Sequence, residues 1–246
     1  MTQAPWHKRP LAVLDTETTG LNPTGGDRIV EIGLVLFDEG EVSGRWGRLL
    51  DPEMPLPADT TRITGIEAAD LVGAPTFAQV ADEFLGLLEG RILVAYNVAF
   101  DRPFLIHELA ACDRDLPEDS EWLDPFVLAS ELQRGQGNMK LGTVAKRLGV
   151  PLEEAHRAVS DAECAGRVLL GLAGDLPTDF DELLDKQEGW MAAQEAQRDR
   201  WRSRANRGGG LKLATEGPKD ALGPGYPHGR ELDPIRYMFL RGTGRF

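Results

Sequence analysis

"LAVLDTETTGL", residues Leu11 to Leu21, decides how this chain reads. Its first residues are apolar at consecutive positions, so both sides of an extended segment would be covered, as in the centre of a sheet. The run then meets two acids, Asp15 and Glu17, separated by one threonine. In a strand both carboxylates point to one face, about 6 Å apart, and repel by about 3 kcal/mol at an effective dielectric near 20. A shared proton, basic partners, open water or a bound cation would offset that repulsion. Two oxygen donors fixed at a strand end suit a hard divalent ion such as Mg²⁺ or Mn²⁺. The same D-x-E spacing recurs at Asp51/Glu53, Asp119/Glu121 and Asp161/Glu163, so spacing alone carries little. Context sets Asp15 and Glu17 apart, because an apolar strand delivers them to the turn "TTGLNPTGG", the kind of segment where ligand sites concentrate.

Working outward, "RIVEIGLVLFD" (28 to 38) and "EVSGRWGRLLDP" (41 to 52) are two more strands, and the short "DEG" link predicts an antiparallel hairpin. "PTFAQVADEFLGLLEG" switches to helical spacing through Phe77, Val80, Ala81, Phe84 and Leu88, with Thr76 and Gln79 as a capping box and Gly90 as a stop. "RILVAYN" (91 to 97) is a buried fourth strand that feeds the helix "AFDRPFLIHELAAC", with Pro103 tolerated in the first turn. After an acidic loop over 113 to 121, "DPFVLASELQ" is helical or partly extended. "KLGTVAKRLGV" is a short helix and "HRAVSDAECAGRVLLGLAG" a longer one ending at Gly174. The order β-β-β-α-β-α-α-α predicts an α/β sandwich on a mixed sheet. Beyond Pro177 the character changes. Residues 179 to 205 suit one polar helix with Trp190 and Trp201 on roughly one face, and "EGPKDALGPGYPHG" is too rich in Gly and Pro for regular structure. A domain boundary is expected near 176, giving a body over 9 to 176 and an extension over 177 to 246.

Composition limits the function classes. The 246 residues can bury a substantial core, and the N-terminus has no apolar signal core. No apolar run approaches the roughly 20 residues that span a bilayer, so no membrane is expected and the chain reads as cytoplasmic. The two cysteines, Cys112 and Cys164, lack metal-type spacing and read as core residues. A net charge of −13 disfavours non-specific attraction to a polyanion. The charge is uneven, however: residues 1 to 185 carry −18 and residues 186 to 246 carry +5. The basic stretch "RDRWRSRANR" in the extension suits a solvated helix face, or contact with phosphate or a partner.

Two further segments carry candidate chemistry. In "AYNVAFDRPF", Asp101 follows a buried strand and opens a helix, where the helix dipole favours a carboxylate. Asn97 is placed to cap that helix, and Phe100 and Phe104, four apart, suit core packing. In "HRAVSDAE", His156 and Asp161 are five apart, about 140° around a helix, so they can share a site only if His156 sits in the loop before it. His228 and Asp233 repeat that spacing in the Gly/Pro-rich tail, without a helix to hold them.

D-x-E at the first strand end, N-x-x-F-D after the fourth strand and H-x-x-x-x-D at the last helix of the body, in this order, resemble the DEDDh (DnaQ-like) family of 3′–5′ exonucleases. The resemblance covers about residues 9 to 174. It implies an RNase H-like fold, a mixed five-stranded sheet flanked by helices. It also implies that Asp15, Glu17, Asp101 and Asp161 hold two Mg²⁺ or Mn²⁺ ions and that His156 is the general base. Thr16, Thr18, Leu21 and Asn97 would contact the terminal nucleotide. The body is most similar to proofreading subunits of bacterial replicative DNA polymerase and their stand-alone relatives, which implies a single-stranded DNA 3′ end as substrate and a polymerase or other replication or repair protein as partner of the extension. RNase T and oligoribonuclease share the motifs, so RNA stays open as the substrate, as does a non-catalytic binding module. A metal-free hydrolase using paired carboxylates is a further class, separable by its activity in EDTA.

Overall fold

The computed structural model describes residues 4–153 and 156–207, without the side chains of 198, 199 and 201–207. The Gly/Pro-rich tail, the pair His228/Asp233 and the side chains of most of the basic stretch, Trp201 included, lie outside the described residues. Five strands form one sheet: β1 (Leu11–Thr18), β2 (Ile29–Asp38), β3 (Glu41–Leu49), β4 (Ile92–Ala95) and β5 (Trp122–Leu123). Their order across the sheet is β3-β2-β1-β4-β5. The β1–β2 and β2–β3 pairs are antiparallel and the β1–β4 and β4–β5 pairs parallel, so the sheet is mixed as expected.

β1 is longer than the apolar run. It continues through Thr18 because β2 pairs with it as far as Ile29, with an irregularity between Glu17 and Thr18. Asp15 and Glu17 therefore sit within the paired strand. The period-two alternation divides the core. Leu11 and Val13 face one side, with Val35, Phe37, Ile92 and Val94. Ala12 and Leu14 face the other, with Leu34, Leu93 and Ala95.

Helices cover both faces. α2 (Phe77–Leu88) and α3 (Val98–Ala111) pack on the Leu14 side through Phe84, Phe104 and Leu109. α4 (Pro125–Leu132), α5 (Leu141–Leu148) and α6 (Ala158–Leu172) cover the Val13 side. The Gln79 side chain accepts the Thr76 N–H at 2.9 Å, as the capping box requires. Phe100 and Phe104 do pack together, with ring centroids 5.3 Å apart. Cys164 is buried in α6 and Cys112 is half-buried; both are free thiols.

α6 lies unusually close to the sheet. A Cβ on Gly33 of β2 would fall 2.2 Å from the Ala158 carbonyl carbon, and one on Gly47 of β3 would fall 2.5 Å from Val159 Cγ2. From the helix side, a Cβ on Gly166 would fall 2.5 Å from the Phe37 ring. Three glycines at the contact let the helix backbone approach where any side chain would hold it off.

Two short elements were not legible in the sequence. α1 (Ala58–Thr64) follows β3, and β5 has two residues, too few for any periodicity. The packing also does not break at 176. α7 (Phe180–Arg207) begins beside that point, and Phe180 and Leu183 join the core of the Val13 side. The N-terminal segment closes over the junction, with Trp6 Nε1 donating to the Pro177 carbonyl at 2.7 Å.

Gly33→Ala should lower stability by about 1–3 kcal/mol, because the new methyl meets helix backbone that cannot rotate aside. Gly47→Ala should cost less, since it meets the end of one valine side chain. Thermal melts of the two variants against the parent, with the loss ordered Gly33 above Gly47, check this.

Candidate active site

β1 and β4 run parallel, and α3 leaves the end of β4 beside the end of β1. Asp101, in the first turn of α3, is thereby carried across to β1 and is 2 % exposed. Its Oδ1 accepts both the Thr16 N–H at 3.0 Å and the Thr16 hydroxyl at 2.7 Å. Thr16 is buried, and its side chain turns away from Asp15 and Glu17, as strand alternation demands. Its polar groups thus hold Asp101 in place.

α6 supplies the opposite wall. Its close seat on Gly33 puts its first turn over the face of β1 that carries Asp15 and Glu17, since Gly33 is the register partner of Asp15. Asp161 stands in that turn. His156 precedes the helix by two residues, in a left-handed backbone conformation (φ 65°), and its N–H donates to Asp161 Oδ2 at 2.8 Å. The His156 side chain is exposed. Ligand-capable atoms of Glu17, His156 and Asp161 all lie within 4.8 Å of one another.

Burial and mutual repulsion push the carboxyls towards their protonated forms. Asp15 lies well above the usual carboxylate range, first through burial and then through the charges of Asp101, Asp161, Glu17 and Glu31. Glu17 is pushed up to about 8 by burial, with Asp161, Glu31 and Asp101 adding to it. Burial raises Asp101 to about 7, although the two Thr16 hydrogen bonds pull it back. Asp161 is raised by burial, opposed by the His156 N–H. The charges acting most on Asp15 and Glu17 are other carboxylates. Oxygen donors that repel one another in a partly enclosed cleft, with an imidazole at its edge, fit hard divalent ions and fit a neutral ligand poorly.

The remaining candidates lie nearby. The Thr18 hydroxyl donates to the Gly20 carbonyl at 2.6 Å and closes the turn after β1. Leu21 is 40 % exposed in the same turn. Asn97 occupies the N-cap position of α3 but its side chain makes no capping hydrogen bond, contrary to expectation. Its backbone is left-handed (φ 75°), and Asp124 supplies the cap from a distance. Asp124 Oδ1 accepts the Asn97 N–H at 2.9 Å and Oδ2 the Val98 N–H at 3.0 Å. The pair Arg28–Glu108 ties α3 to β2, with Nε–Oε1 at 2.8 Å and Nη2–Oε2 at 2.9 Å.

Sequence reasoning missed Asp124 and Glu31. Glu31 lies opposite Glu17 in the β1–β2 register, is 5 % exposed, and accepts from Arg157 Nη2 at 3.1 Å. An acid flanked on both sides by apolar residues in "RIVEIGLVLFD" was the available signal. Asp124 had none, because its partners are backbone groups 26 and 27 residues earlier in the chain.

The RNase_T family, described as exonuclease, matches residues 12–169, which include all four acids and His156. The chain belongs to this exonuclease family. Among curated relatives, the 3′-5′ exonuclease DinG of Bacillus subtilis is 34 % identical over 164 residues, 67 % of this chain and 18 % of that protein. DNA polymerase III subunit epsilon of Treponema pallidum is 36 % identical over 154 residues, 62 % of this chain and 71 % of that protein. The epsilon subunit of Rickettsia felis is 36 % identical over 180 residues, 71 % of this chain and 78 % of that one. This chain thus spans under a fifth of the DinG protein and most of the epsilon subunits. Exonuclease domains of known structure share the fold. Exonuclease X in complex with 5′ overhanging duplex DNA superposes with a TM-score of 0.58 at 24 % identity, over 72 % of this chain and 99 % of that one. The nuclease domain of 3′hExo, a DEDDh family member bound to rAMP, gives 0.61 at 18 % identity, over 70 % and 95 %.

The raised carboxyls make stability depend on pH in a definite direction. Above their ordinary values, 3.8 for Asp and 4.5 for Glu, the unfolded chain releases protons that the folded chain keeps up to about 7 at Asp101 and about 8 at Glu17. The folded state binds more protons across that window, so stability in EDTA should fall as pH rises from about 4 to about 8. Melts in EDTA and in Mn²⁺ check this: the ion should restore the melting temperature at pH 8, and Asp101→Asn should raise it in EDTA.

Proposed function

We propose that this protein is a metal-dependent 3′–5′ exonuclease that removes nucleoside 5′-monophosphates one at a time from the 3′ end of DNA. One observation carries the proposal: acids from β1, α3 and α6 converge at the end of two parallel strands with His156 at the rim. A module that only bound a partner would gain nothing from burying carboxyls that repel one another. The family membership supports the reaction class, and the relatives named as subunits of DNA polymerase III support DNA as substrate and a DNA polymerase as partner. The catalytic unit is the body over 9 to 176 completed by the first turns of α7. Past those turns, the extension would meet the partner.

Asp15, Glu17, Asp101 and Asp161 would hold two divalent ions, Mg²⁺ or Mn²⁺. When bound, the ions lower the pKa of the attacking water and offset the charge that develops on the leaving 3′ oxygen. Their four positive charges also answer the four carboxylates, so an acidic protein presents a phosphate with a favourable local field. His156 takes the proton from the attacking water. Histidine suits that role because its proton exchange falls near neutrality, and the exposed imidazole can pass the proton on to solvent. The Asp161 carboxylate holds the His156 backbone, so ion ligand and base are set by one turn. Thr16 acts through Asp101, whereas Thr18, Leu21 and Asn97 line the path of the terminal nucleotide.

Digestion of 5′-labelled single-stranded DNA and RNA oligonucleotides in Mg²⁺, Mn²⁺ or EDTA tests this. A ladder shortening from the 3′ end of DNA, dependent on metal and absent in Asp101→Ala, is the expected result. Faster cleavage of the RNA strand would reassign the substrate while keeping the chemistry. His156→Ala should slow turnover by about 10²–10⁴-fold while Mn²⁺ binding persists. Undiminished turnover in either variant would remove the site assignment.

A further inference from the structure

β5 is the outer strand of the sheet, paired with β4 on one side only. An outer strand leaves alternate N–H and C=O groups without a partner, a serious matter where the edge is buried. Here a side chain meets them. Gln187, on α7, accepts the Asp124 N–H through Oε1 at 2.7 Å and donates from Nε2 to the Trp122 carbonyl at 2.9 Å. Its amide thus bonds residues 122 and 124 as one residue of a further parallel strand would. Gln187 is 5 % exposed, and Leu183, one turn earlier on the same face of α7, is fully buried.

Asp124 is also the residue that caps α3 through the Asn97 and Val98 N–H groups, and its Oδ1 takes the Phe126 N–H at 2.9 Å as well. Asp101 follows Val98 by three residues, within the same turn. A continuous series of short bonds therefore runs from α7 through Asp124 to the start of the helix that carries Asp101. Gln187 lies beyond the residues matched to the exonuclease family, which end at 169. We infer that Gln187 is a positioning residue for the acid cluster: by fixing the backbone of Asp124 it sets where α3 begins and hence where Asp101 stands beside Asp15. The inference rests on the reading of that cluster as a divalent-ion site.

The test uses the full chain. Gln187→Met keeps length and volume but removes both hydrogen bonds, and Gln194→Met is the control, because Gln194 bonds the Val127 carbonyl from the same helix. Calorimetric titration with Mn²⁺ should show about tenfold weaker binding in Gln187→Met, the lower end of what loss of a ligand's supporting contact costs. Backbone amide exchange at Asn97 and Val98, measured in EDTA, should quicken in the same variant. Both readouts should stay at the parent's level in Gln194→Met. A lowered melting temperature with unchanged Mn²⁺ affinity would make Gln187 a packing residue only and overturn the inference. If Gln187→Met does not fold, Gln187→Leu, which also removes both hydrogen bonds, is judged by the same criterion. Absence of Mn²⁺ binding by the parent chain would instead overturn the ion-site reading, and this inference with it.

Discussion

Four carboxyl groups, those of Asp15, Glu17, Asp101 and Asp161, meet at one end of one sheet with Glu31 beside them, and the four resist being brought there. Burial removes the water that would screen them, and each added charge makes the next harder to ionise. The rest of the architecture can be understood as the means of holding them against that resistance. Thr16 gives two hydrogen bonds to Asp101, the His156 N–H gives one to Asp161, and Arg157 pairs with Glu31. A sheet centre apolar on both faces supplies the stiffness.

The holding devices differ in kind around the cluster. Asp15 and Glu17 need no separate support, since β2 pairs with their strand at both positions and β4 pairs with the residues just before them. Asp101 and Asp161 belong to helices that must be brought in from elsewhere, and each helix is fixed near its start. Asp124 caps α3, while close contact with Gly33 seats α6. A shift of α3 would pull Asp101 from Thr16, the residue next to Asp15. These two acids are therefore coupled through one threonine.

Much of this was legible in the sequence because its signals are local. Strands β1, β2 and β4 announce themselves by apolar runs, α2 by its capping residues and helical period, and the acids by their place at the ends of those elements. What stayed hidden depends on partners distant in the chain. β5 is a strand only because β4 lies beside it. Asp124 reads as an ordinary N-cap of α4 until the fold brings α3 against it. Asn97 has the composition of a cap, yet its left-handed backbone leaves that role to another residue. The packing continues into α7 for the same reason, since Phe180 and Leu183 are apolar positions in a helix otherwise polar enough to suggest an independent extension.

The three glycines at the α6 contact bear on the size of ion the proposed site would accept. At Gly33 backbone is pressed against backbone, which does not yield as a side chain does, so the wall carrying Asp161 has little room to advance towards Asp15. The open part of the cleft, where Glu17 and the exposed His156 stand, is where adjustment remains. Ca²⁺ takes six to eight oxygens at about 2.3–2.6 Å in flexible cages, whereas Mg²⁺ demands about 2.0–2.1 Å in a regular octahedron. On the proposed reading of the cluster as an ion site, a cleft fixed on its inner side and open at His156 would suit the smaller ion, which keeps several of its waters. Discrimination by radius would then come from the missing side chains of Gly33, Gly47 and Gly166, residues that donate nothing to the ion themselves.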